Sequence, residues 1–204
     1  MEFKLSREAL LRVLNHVSSI VDSRSTITIL SNLYIKCENN NVEVRSTDMD
    51  ISIREFVSCE SVKNGEATVN SRILTDIIRK TKKNTIIKFK SDGTRLIINS
   101  ENSVFELNAL SADEFPKFVP LNQANSFELT VDQIKRIFNK TKFAISAEET
   151  RYYLNGVYFH TVKSDDKNIL KTVSTDGHRL AKNELEISSS VDIQGIIMPR
   201  KFIL

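Results

Sequence analysis

The sequence has no tryptophan, and its 204 residues include only five glycines, three prolines, two cysteines and three histidines. With so few glycines, neither a GxGxxG nor a GxxxxGKS/T loop can be written, so no bound nucleotide and no cofactor is expected. The histidines His16, His160 and His178 lie far apart and show neither HExxH nor Cys/His ligand spacing, so no metal centre is expected. Cys37 and Cys59 are too few to frame a chain of this size with disulfides, which predicts free thiols in a reducing cytoplasm. No apolar run approaches the roughly 18 residues of a membrane span, and Met1-Glu2-Phe3-Lys4 leads directly into charged sequence. Neither secretion nor membrane insertion is expected. What remains, 40% apolar and 27% charged residues, is the composition of a soluble folded binding protein of one large or two compact domains.

The net charge of +3 says little, but its distribution says more. Three segments carry helical periodicity. Ser6 to Ile20 places Leu10, Val13, Leu14, Val17 and Ile20 on one stripe, with Ser6 as N-cap. Arg72 to Lys83 repeats the pattern with Ile73, Leu74, Ile77 and Ile78, and Val131 to Phe143 does so with Ile134, Ile137 and Phe138 behind Thr130. Arg7 and Arg12 against Glu8 give the first helix +1. Arg72, Arg79, Lys80, Lys82 and Lys83 against Asp76 give the second +4, and Lys135, Arg136, Lys140 and Lys142 against Asp132 give the third +3. The helices thus hold +8 of a +3 chain, and everything else carries −5. Helices sharing one surface would present it to a phosphate backbone; the other reading is that lysines and arginines solvate the outer sides of amphipathic helices.

Between the helices the period changes to two. Asn32 to Cys37, Asn41 to Arg45, the run through Ile51, Ile53 and Glu55, Ile86 to Lys90, Arg95 to Asn99 and Ser103 to Asn108 read as strands. Ser91-Asp92-Gly93-Thr94 reads as a hairpin turn. Antiparallel strands with a few helices make an α+β fold.

The chain also repeats itself. A shift of 124 pairs Phe3, Leu5, Arg12, Asn15, Thr26, Leu30 and Tyr34 with Phe127, Leu129, Arg136, Asn139, Thr150, Leu154 and Tyr158. At a shift of 128, Ser46-Thr47-Asp48 recurs as Ser174-Thr175-Asp176 and Arg72 as Arg200, so four residues are inserted between the blocks. Pro116, Pro120 and the polar stretch from Asn122 to Ser126 read as the linker. The second copy reaches only Leu204, the counterpart of Asp76, so a truncated gene or a fragment of a longer chain is expected.

Arg151-Tyr152-Tyr153-Leu154-Asn155-Gly156, Ser174-Thr175-Asp176-Gly177-His178-Arg179-Leu180, Ile29-Leu30-Ser31-Asn32-Leu33, Ala112-Asp113-Glu114-Phe115-Pro116 and Met198-Pro199-Arg200-Lys201 occur in this order. Together they closely resemble the bacterial sliding clamp family, the beta subunit of DNA polymerase III. The resemblance implies tandem clamp domains with helices on one face and antiparallel sheets on the other. Domain 1 would span 1–121 and a truncated domain 2 would span 127–204, with the third domain absent. In the family two protomers form a ring around duplex DNA and take peptides from the replicative polymerase and the clamp loader. This homodimer ring is not expected to close for the present chain.

By resemblance, Arg24, Tyr152 and Tyr153 are DNA contacts, and Arg72, Arg79, Lys135 and Arg136 supply the cationic helix faces. Glu148 stands where the family often has a neutral polar contact. Leu154, Thr175, Gly177, His178, Arg179 and Leu180 match one wall of the partner-peptide groove, with Gly177 allowing close backbone approach. Phe105 and Leu107 match the dimer edge strand. The competing readings are a stand-alone peptide-binding protein and a small hydrolase built on Asp176 and His178.

Overall fold

The computed structural model describes residues 1–21, 26–101, 103–117, 126–148, 150–164, 166–188 and 191–203. Arg24, one of the expected DNA contacts, lies outside the described residues. The chain divides into two compact units, Met1–Val119 and Pro120–Leu204.

The first unit runs β1 (Glu2–Ser6), α1 (Arg7–Val17), β2 (Asn32–Glu38), β3 (Asn41–Thr47), β4 (Ser52–Ser58), β5 (Glu60–Lys63), β6 (Gly65–Asn70), α2 (Ser71–Lys80), β7 (Ile86–Ser91), β8 (Arg95–Ser100) and β9 (Ser103–Leu110). Its nine strands are ordered β4-β3-β2-β6-β9-β8-β7-β1-β5, and every pairing is antiparallel. The two end strands, β4 and β5, are separated in sequence by Cys59 alone. One stretch of chain therefore pairs first with β3 and then with β1, and the sheet curls back on itself. Phe3, Leu33, Val42, Val44, Ile87, Phe89, Leu96 and Ile98 fill the inside, packed on Leu10, Val13, Leu14 and Val17 of α1 and Leu74 and Ile78 of α2.

The second unit holds α3 (Val131–Thr141), β10 (Gly156–Ser164), β11 (Lys167–Thr175), β12 (Leu180–Ile187), β13 (Ile196–Pro199) and the single turn α4 (Arg200–Ile203). Its sheet order, β12-β11-β10-β13, repeats β4-β3-β2-β6 of the first unit. At a shift of 124, α3 covers the same span as α1. The four inserted residues lengthen each strand of the β10–β11 hairpin by two relative to β2–β3. The chain thus has an α+β architecture, with a second unit that carries part of the plan of the first.

The helix starts follow from their caps. Ser6 Oγ accepts from the Ala9 amide at 3.2 Å, and Asn70 Oδ1 accepts from Ile73 at 3.0 Å. Thr130 and Gln133 form a reciprocal capping box with bonds of 3.2 and 2.8 Å. The helices end earlier than periodicity suggests, at Val17, Lys80 and Thr141. Two stripe residues also differ from expectation: Ile73 and Ile134 are 50% and 39% exposed. A pattern of apolar spacing places both beside the core, but the packing is already closed by Leu74 and Ile78 in α2 and by Ile137 in α3. The Asp92-Gly93 turn forms as read, with Asp92 Oδ1 accepting from the Thr94 and Arg95 amides at 3.0 and 2.9 Å.

One polar contact recurs in both units. Ser46 Oγ donates to the carbonyl of Val17, the last residue of α1, at 2.5 Å. Ser174 Oγ donates to the carbonyl of Thr141, the last residue of α3, at 2.5 Å. Both serines are buried. Each satisfies one of the carbonyls left unpaired at a helix end and fastens that end to the strand next to the edge strand of its sheet. Ser46→Ala and Ser174→Ala are each expected to cost about 1–2 kcal/mol, because a buried carbonyl loses its donor. Hydrogen exchange should show the loss in the helix of the mutated unit and leave the other helix unchanged.

Candidate functional site

The Ser-Thr-Asp motif closes the β3–β4 and β11–β12 connections in the same way. Thr47 Oγ1 donates to Ile51 O at 2.9 Å and accepts from the Met49 amide at 3.1 Å. Thr175 Oγ1 donates to Arg179 O at 2.8 Å and accepts from the Gly177 amide at 3.1 Å. Asp48 Oδ1 accepts from the amides of Asp50 and Ile51, and Asp176 Oδ1 from those of His178 and Arg179. The third residue of each turn has positive φ, 80° at Met49 and 91° at Gly177. Glycine is favoured there for its backbone angle. The nearest group to a Cβ built at Gly177 is the Arg151 guanidinium at 3.5 Å.

The same turn presents different surfaces. In the first unit Leu30 and Ile51 are buried, and Ser52 occupies the position of Leu180. In the second unit Leu154 is half-buried, His178 and Arg179 are exposed, and Leu180 is 65% exposed. An apolar side chain beside a stiff turn with polar neighbours is a surface suited to a short peptide. Thr175, by contrast, spends its hydroxyl inside the turn.

Asp176 is committed as well. Its second carboxylate oxygen pairs with Arg179 Nε at 2.9 Å. Two amides and the guanidinium hold its carboxyl below the ordinary 3.8, at about 2. It therefore orients backbone, not the His178 ring, and the Asp176/His178 pair lacks the geometry of a base and its orienting acid. Among the described residues no group of three or more His, Cys, Asp or Glu could hold a metal ion.

Tyr152 and Tyr153 sit with Leu154 on a one-turn 3-10 helix, not at a strand start. Their rings meet edge to face at 5.6 Å and are 78% and 56% exposed. Glu148 lies beside them but is paired with Arg151 Nε at 2.8 Å, so its charge is balanced locally. Spacing on its own gave no weight to Arg151, which braces Glu148 and approaches Gly177. It also gave none to Phe143, an exposed ring under the Arg179 guanidinium at 5.8 Å. The position of Arg151 directly before the tyrosine pair was the available signal.

Arg72 and Arg79 lie on the exposed side of α2, and Lys135 and Arg136 on that of α3, opposite the apolar residues that anchor each helix. Arg79 Nη1 is 3.3 Å from Asp76. The end of α2 is held by Arg7, whose buried guanidinium donates to the carbonyls of Ile78 and Arg79 at 3.1 and 2.8 Å.

Phe105 and Leu107 lie on β9. Strand β8 pairs with one side of Ser103–Asn108, whereas β6 reaches only Ala109 and Leu110. Leu107 is turned into the core and offers little surface. Phe105 borders a groove of about 470 Å³ together with Ile73, Ile77, Lys80 and Glu101.

The profile of the DNA polymerase III beta subunit N-terminal domain matches residues 1–119, and that of the central domain matches residues 128–204. The chain belongs to this family, the beta sliding clamps. The beta sliding clamp of Caulobacter vibrioides is 38% identical over 206 residues, and that of Proteus mirabilis 35% over 205, each alignment covering 100% of this chain and 55% of the relative. A sliding clamp crystal structure from Caulobacter crescentus superposes with a TM-score of 0.92 at 37% identity, again over 100% of this chain and 55% of that one. A Bartonella birtlesii clamp, solved bound to griselimycin, gives the same TM-score and identity over the same shares. The chain thus spans about half the length of the clamps it matches.

The turn of this clamp chain should titrate far from neutrality. Because the folded state lowers the Asp176 pKa from 3.8 to about 2, its contribution to the turn is complete above roughly pH 4 and is lost as pH falls through 2. A carboxyl NMR titration should give that midpoint. Asp176→Ala should expose the His178 and Arg179 amides to exchange, whereas Asp176→Asn, which keeps an acceptor oxygen, should protect them.

Proposed function

We propose that this chain acts as a processivity clamp segment in DNA replication, gripping duplex DNA without reading sequence and docking partner peptides on its second unit. The observation that carries the reading is the split character of α2. Leu74 and Ile78 are fully buried while Arg72, Arg79 and Lys80 point outward from the same ten residues. Such a face meets phosphates through guanidinium and ammonium groups and makes no demand on base edges, so the protein can slide. Tyr152 and Tyr153 add two exposed aromatic faces, which stack on bases of a single-stranded overhang regardless of sequence.

The groove at Leu154, Thr175, Gly177, His178, Arg179 and Leu180 takes peptides of the replicative polymerase and clamp loader, with Leu154 and Leu180 as apolar contacts. The β9 edge matches the strand that pairs protomers into a ring in the full-length family, and ring closure is not part of the activity proposed for this chain. As part of the same proposal the activity is cytoplasmic, in keeping with the family resemblance. No helix among the described residues is long and apolar enough to cross a membrane.

Duplex affinity measured between low and moderate salt tests the proposal. The logarithm of the binding constant should fall linearly with the logarithm of salt, and Arg72→Ala or Lys135→Ala should each reduce the slope by about one, equally on unrelated sequences. Leu180→Ser should leave the slope unchanged. Equal affinity at low and high salt would instead favour a peptide-binding protein that does not engage DNA.

A further inference from the structure

The only two cysteines of the sequence lie side by side in the first unit. Cys37, on β2, is fully buried, and Cys59, the single residue between β4 and β5, is half-buried. Their sulfurs are 3.8 Å apart. Both backbones are fixed. Cys37 is paired with Val42 on one side and Gly65 on the other. The Cys59 amide donates to Asn40 O at 2.9 Å, and the Ser61 amide donates to Asn40 Oδ1 at 3.1 Å. The Cys37 thiol also donates to Ser61 Oγ at 3.3 Å. The pair thus sits at the corner where one stretch of chain passes from the β3 side of the sheet to the β1 side. No DNA or peptide contact argued above uses it.

We infer that Cys37 and Cys59 are a redox modification site, closing a reversible disulfide across this corner when the chain meets a small disulfide oxidant such as glutathione disulfide. A disulfide requires a sulfur separation of about 2.05 Å, so the two sulfurs, 3.8 Å apart, must approach by less than 2 Å. Cys59 is the entry point because Cys37 is closed to solvent. The Cys59 thiolate attacks one sulfur of glutathione disulfide, forming a mixed disulfide and releasing one glutathione thiolate. Cys37 gives up its proton by way of Ser61 Oγ, to which its thiol already donates, and attacks Cys59 Sγ, releasing the second glutathione as its thiol. Two protein thiols lose two electrons and two protons, and one glutathione disulfide becomes two glutathione thiols.

Burial, with the neighbouring thiol, pushes the Cys59 pKa up to about 12. Thiolate is therefore scarce at pH 7, and closure is slow there and accelerates with pH. This is the behaviour of a lock set by sustained oxidation, not of a fast peroxide sensor.

The test is incubation of the whole chain with glutathione disulfide at pH 7 and pH 9, followed by intact mass. The expected product has lost two hydrogens, retains no glutathione, forms roughly 100-fold faster at pH 9, and is reversed by dithiothreitol. Its melting temperature should rise by about 5–10 °C, because the bond closes a loop in the unfolded chain. Cys37→Ser should stop at a single glutathione adduct on Cys59. A stable adduct on the unmutated chain, a disulfide-linked dimer, or no reaction at pH 9 would overturn the inference. The mass of the unmutated chain decides even if the variant fails to fold.

Discussion

The turn that carries Ser-Thr-Asp is the constraint on which the rest of each unit depends. A serine hydroxyl fastens the end of a helix to the strand that precedes the turn, a threonine closes the turn, and an aspartate gathers the amides that follow. None of these bonds is strong alone. Their value is geometric. They set where the strand restarts, and hence which side chains stand beside the turn.

Because the constraint is local and polar, it tolerates change around it. Met49 and Gly177 occupy the same left-handed position with different side chains, and Ser52 and Leu180 occupy the same strand start with different polarity. The duplicated scaffold therefore carries one turn whose neighbouring leucine and isoleucine are buried and one whose leucine is exposed. An exposed apolar surface arises here by altering two or three residues on a frame that stays fixed.

Much of this was legible in the sequence, for physical reasons. The repeat was visible because both copies need a hydroxyl-bearing capping residue, the same helix spacing and the same turn. The strands read between Asn32 and Glu55 were visible because apolar residues recur there at every second position. Strands β1, β5 and β6 were not, since they are short and β5 is exposed along most of its length. The exposure of Ile73 and Ile134 was also hidden, because spacing reports a helix face but not how wide a strip the neighbouring sheet covers. At the site, Tyr152, Tyr153 and Leu180 were named and are exposed, while Thr175 and Leu107 were named and turn out to serve the turn and the core. Arg151 escaped notice because its role is to brace Glu148, a relation across a turn that no periodicity announces.

The most direct test of this account is a chemical-shift map of the isotopically labelled chain titrated with a short peptide carrying leucine and phenylalanine side chains. The account predicts saturable shifts at residues 152–154 and 175–180, with the equivalent positions 28–30 and 47–52 unmoved. Equal shifts at both turns, or shifts confined to the first unit, would contradict it.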